Sequence, residues 1–78
     1  MTKKEIKNCL EYRLQRLKEL TGENYSLDWY HGIVALQVVD EGHVPHHGKF
    51  GDANNRRTAS EMLAYLDGLL SGLTGIKY

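Results

Sequence analysis

Between Thr2 and Gly22 the apolar side chains fall at Ile6, Leu10, Leu14, Leu17 and Leu20, three or four positions apart. That spacing lays one stripe along an α-helix, predicted over about residues 3–21. Thr2 with Glu5 three positions on reads as a capping box, in which each side chain bonds the other residue's backbone N–H. Gly22 tolerates the left-handed backbone that ends helices. Cys9 lies on the same stripe and reads as a small buried apolar residue. Arg13 breaks the pattern by falling inside the apolar arc. A charged head is not left unpaired in a core. The expectation is a packed stem with the guanidinium at the edge; the alternatives are a pair with a carboxylate or an anion contact.

Beyond Gly22 the period changes from about 3.6 to two. Tyr25, Leu27 and Trp29 alternate with Ser26, Asp28 and Tyr30, which predicts a half-buried strand over about residues 25–31. His31-Gly32 supplies a turn. "IVALQVV" is β-branched and apolar, a second strand over 33–39. "DEG" at 40–42 is another turn signal, and a third strand is expected over about 43–50, limited to an edge or broken by Pro45. "GDANNRR" reads as a loop. Ala59, Met62, Leu63, Leu66, Leu69, Leu70 and Leu73 then share one arc of about 120° on a helical wheel. They predict a second helix over about 59–71, opened by a capping box of Thr58 and Glu61 and ended by Gly72 and Gly75. Short connections favour an antiparallel meander, and two amphipathic helices need one surface to cover. The expected fold is α+β: a two-layer α-β-β-β-α sandwich with a three-stranded antiparallel meander and both helices on one face. Residues 1–78 are expected to form a single domain.

The second strand offers a candidate contact surface. Helices cover one sheet face, and Gln37 suggests that its own set points away from them. Ile33, Ala35, Gln37 and Val39, with Tyr30, would then form a largely apolar patch on the open face. Such patches mark contacts with a partner protein or a second copy of the chain.

Composition narrows the function classes. Ten Lys/Arg balance ten Asp/Glu, which argues against a general nucleic-acid binder. The charge is uneven, however: residues 1–20 carry six Lys/Arg against three Glu, and residues 21–55 carry five acids against one Lys. Lys3, Lys4, Lys7 and Arg16 therefore supply a weak nucleic-acid reading through the first helix. One cysteine forbids an internal disulfide and fits a reducing cytoplasm. No leader is expected at the N-terminus, which lacks an apolar run behind its lysines. No stretch approaches the roughly 18 apolar residues of a membrane span.

The half from "YSLDWYHGIVALQVVDEG" to "RTASEMLAYLDGLLSGL" resembles small uncharacterised proteins encoded by phages and prophages. The shared features are a hairpin with an aromatic first strand, a turn with acids and Gly, and a closing Leu-rich helix with Gly near its end. The resemblance covers about 60% of the chain. It implies an accessory role and no chemistry.

Other candidates carry less. His43, His46 and His47 fall within "EGHVPHHGKF", with Asp40, Glu41 and Asp52 near in sequence. Imidazoles with a carboxylate can hold zinc or sense pH. Structural zinc sites usually recruit cysteines at fixed spacing, so a polar loop is the expectation and neither metal nor cofactor is assigned. Arg56 and Arg57, just ahead of a helix start, could meet an anion. No serine or cysteine sits in a nucleophile context, and no Gly-rich loop leads into Lys-Ser/Thr. The expected function is a non-catalytic protein-binding module.

Overall fold

The structure, a computed structural model, describes residues 2–39, 45–46, 50–51 and 56–75. Its elements are α1 (Lys3–Thr21), β1 (Tyr25–Tyr30), β2 (Ile33–Val39), β3 (Pro45–His46), β4 (Arg57–Thr58) and α2 (Ala59–Thr74). The class is α+β, with two helices and a β1-β2-β3 antiparallel sheet. Both helices open on the expected capping boxes, Thr2 with Glu5 and Thr58 with Glu61. Gly22 ends α1 in the left-handed region, with its N–H donating to the Lys18 carbonyl at 2.8 Å.

Three boundaries differ from the sequence reading. α2 continues through Gly72 to Thr74, and Gly75, at φ 73°, ends it by donating to Ser71. Gly72 keeps a negative φ, so the helix runs through it, and the Thr74 hydroxyl bonds the Leu70 carbonyl at 2.7 Å in the last turn. The first strand stops at Tyr30 because His31 and Gly32 both take positive φ, 49° and 81°, the mark of a type I′ hairpin turn. The third strand is confined among the described residues to Pro45–His46, paired with Val39 and Val38. A fourth strand, unforeseen, pairs Arg57 with Val34 and Thr58 with Ile33.

β2 is thus the centre of the sheet. β1 occupies one edge, and β3 and β4 share the other. Register places Tyr25, Leu27 and Trp29 opposite Val38, Leu36 and Val34, and this face meets the helices. Leu10 and Leu17 of α1 and Met62, Leu66 and Leu70 of α2 close over Tyr25, Val34, Leu36 and Val38 as one core. α1 runs antiparallel to β1, and α2 folds back over β4, so the helices lie parallel with both N-termini at the hairpin end. Arg13, midway along α1, pairs accordingly with Asp67, midway along α2.

Two tyrosines anchor the chain between β3 and β4. The Tyr25 hydroxyl accepts from the Phe50 N–H at 3.2 Å, and the Tyr65 hydroxyl donates to the Phe50 carbonyl at 2.7 Å. A core strand and a core helix therefore clamp one residue from two sides.

Candidate functional site

The open sheet face does not carry the continuous apolar patch expected from sequence. Counting back from the β2–β4 register, Arg56 lies level with Ala35, and Ala35 pairs with Asp28 on its other side. Arg56 reaches across this row. Its Nη1 donates to the Asp28 carbonyl at 2.9 Å and its Nη2 to Asp28 Oδ2 at 2.5 Å. Ala35 is 0% exposed beneath them, which corrects its place in the patch. A methyl group is what lets an ion pair cross there. Ser26 opposite Gln37 forms the next row, so a polar band separates Tyr30 and Ile33 from the half-buried Val39.

The exposed large hydrophobic residues of the strands collect at the hairpin end. Trp29 is 41% exposed, Tyr30 60% and Ile33 36%. Tyr30 and Ile33 close the hairpin as a pair. The Arg56 guanidinium lies 5.6 Å from the Tyr30 ring centre, and the His31 ring stands edge-on to Tyr30 at 4.2 Å. On the helix side of the same end, Trp29 enters a groove of about 290 Å³ with Lys3, Ile6 and Lys7 of α1, Gly32 and Ala59. A second hollow of about 260 Å³ continues along β1 between Lys7, Glu11, Leu14, Leu27 and Trp29.

The basic residues divide. Lys3 and Lys7, one turn apart, meet at the groove, whereas Lys4 is exposed elsewhere on α1. Arg16 pairs with Glu19 at 3.2 Å. Arg57 stacks on Tyr65, 4.1 Å from the ring centre. Arg56 and Arg57 are therefore engaged with Asp28 and Tyr65. The α2 N-terminus is itself occupied: Thr58 Oγ1 accepts from the Glu61 N–H, and a Glu61 carboxylate oxygen accepts from the Thr58 N–H at 3.0 Å. That backbone bond first, then the Thr58 hydroxyl, and nearby Arg57, hold the Glu61 carboxyl below its ordinary range against a small opposing effect of burial.

Of the histidine cluster, His46 is exposed and pairs in register with Val38. His43 and His47 lie outside the described residues, as do Asp40, Glu41 and Asp52. Among the described residues no group of three or more His, Cys, Asp or Glu could hold a metal ion, and no helix is long and apolar enough to cross a membrane. The chain matches no known protein family, no curated protein and no solved structure.

Sequence reasoning missed the contribution of Trp29 and the two lysines as a set. Its signal was present: Lys3 and Lys7 are spaced four apart, and Trp29 lies two residues from a turn.

Proposed function

We propose that this chain is a small non-catalytic protein-binding module, a cytoplasmic accessory protein of the phage and prophage type. One observation carries the reading: Trp29, Tyr30 and Ile33 are all exposed at one end of the molecule, with Arg56 against Tyr30. Trp, Tyr and Arg are the residue types that dominate binding hot spots. Burying rigid aromatic rings gives large contact area at small cost in side-chain entropy. The hairpin end is stiffened by its type I′ turn and by the Arg56 bridge to β1, so a partner meets a surface already shaped.

The weak nucleic-acid reading loses part of its footing. Of Lys3, Lys4, Lys7 and Arg16, Lys3 and Lys7 line one groove, and Arg16 is paired with Glu19.

The test compares proteins retained from cell extract by the intact chain and by its Tyr30→Lys and Ile33→Lys variants, with circular dichroism to check folding. A species retained by the parent and lost from both folded variants is expected. Equal retention by all three would remove the hairpin end as the contact surface.

A further inference from the structure

The hairpin register fixes which backbone groups of β1 point outward. With a two-residue turn, Tyr30 and Ile33 form the first hydrogen-bonded pair, and such pairs recur at Asp28–Ala35 and Ser26–Gln37. The Val39 N–H to Asn24 carbonyl bond, 3.1 Å, continues the same phase. Leu27 and Trp29 occupy the alternate positions, so their N–H and C=O groups point away from β2. Among the described residues no strand pairs with that edge. Edges of this kind are usually blunted by proline, a bulge, or an outward lysine. β1 has none of these, and its one charge, Asp28, is drawn to Arg56 over the sheet face.

The side chains of the same two residues line the hollows between β1 and α1. An extended segment laid along β1 would therefore find main-chain partners at Leu27 and Trp29 and side-chain space beside them. We propose that this edge takes up an extended acidic segment of a partner protein as an added strand. The proposal rests on the protein-binding reading above and names the form of the partner.

Register also defines the segment. Its residues opposite Leu27 and Trp29 are two positions apart, and both point their side chains toward α1. The one at Leu27 meets Leu27 and Leu14, with Glu11 in the same hollow repelling an acid there, and is apolar. The one at Trp29 meets Lys3 and Lys7 and is a carboxylate. Neither lysine forms an ion pair among the described residues. The recognised element is thus one acid and one large apolar residue separated by a single position. A second copy of the chain suits the edge less well. Pairing β1 with β1 would set two α1 helices side by side, each with an excess of three positive charges over residues 1–20.

The experiment uses the full chain and capped hexapeptides carrying Asp-Thr-Leu or Leu-Thr-Asp between threonines, with Lys-for-Asp controls. Trp29 is the sole tryptophan, so its fluorescence reports occupancy of the groove. Binding of an Asp peptide but not its Lys control, with slowed amide exchange at Leu27 and Trp29, is the expected result. The Lys3→Glu/Lys7→Glu variant is expected to bind that peptide about fivefold more weakly, and Val39→Lys, beyond the Arg56–Asp28 band, to bind it unchanged. Binding lost in Ile33→Lys but kept in the lysine variant would overturn the added strand while leaving the hairpin-end reading standing. Absence of binding by every peptide would overturn it too, as would protection of Leu27 and Trp29 amides by self-association alone.

Discussion

Arg13 stands where helical periodicity calls for an apolar side chain, and Asp67 resolves the conflict. The guanidinium Nε donates to Asp67 Oδ1, and Nη1 reaches the Cys9 carbonyl at 3.4 Å. Both side chains keep about a quarter of their surface in water, 23% and 27%, so solvent screens the pair and its net contribution is modest. Removing one partner still strands the other against apolar neighbours. Asp67→Ala is expected to cost about 1–2 kcal/mol in urea unfolding, whereas Arg13→Leu with Asp67→Leu together is expected to fall within about 1 kcal/mol of the parent. Strictly additive single and double variants would show that the two residues are not coupled. Glu61 gives a pH signature at the same scale. Its carboxyl titrates lower folded than unfolded, so the stability it contributes is present above the ordinary carboxylate range and is lost as pH falls through the folded value. Glu61→Gln is expected to flatten that acid limb, which melting temperatures measured through the acid range will reveal; an unchanged slope would place the acid sensitivity elsewhere.

Two glycines, one in a turn and one in a helix, predict effects of opposite sign at the scale of elements. A Cβ meets nothing within 4 Å at either Gly32 or Gly68, so packing does not decide the outcome and the backbone does. Gly32→Ala forces a side chain into φ 81° and is expected to cost about 1 kcal/mol. Gly68→Ala, on the exposed face of α2, is expected to stabilise by about 1 kcal/mol. Chemical denaturation of the pair checks both signs, and a stabilised Gly32→Ala would contradict the turn assignment. The elements legible in the sequence are those written in local patterns: the leucine stripes, the Thr–Glu capping boxes and the alternation through Trp29. β4 was not legible, because two residues carry no period and their pairing with Ile33 and Val34 spans more than twenty positions. Arg56 and Arg57 looked like loop charges for the same reason. The burial of Ala35 depends on a side chain arriving from that distant strand, and no local window contains it.

For the whole molecule, the polar band over Ala35 decides which surface answers to mutation. Without it, Ile33 and Val39 would belong to one apolar face, and a lysine at either would weaken association alike. With Arg56 bound to Asp28 between them, the hairpin end and the Val39 end are separate surfaces. Val39 is half-buried and bordered by Pro45 in the register of β3, while Ile33 pairs with exposed Tyr30, and Trp29 is exposed on the opposite face of the same end. A charge at Ile33 enters the cluster of aromatic anchors, where a desolvated lysine is costly. Ile33→Lys is therefore expected to reduce partner affinity at least about tenfold, a loss of about 1.4 kcal/mol or more, and Val39→Lys to reduce it by less than about threefold. Titration calorimetry of both folded variants against one purified partner tests the ordering, and light scattering shows whether that partner is a second copy. A larger loss at Val39 would mean that the contact surface runs over the β3 side of the sheet, and that the Arg56–Asp28 bridge lies beneath the interface instead of at its border.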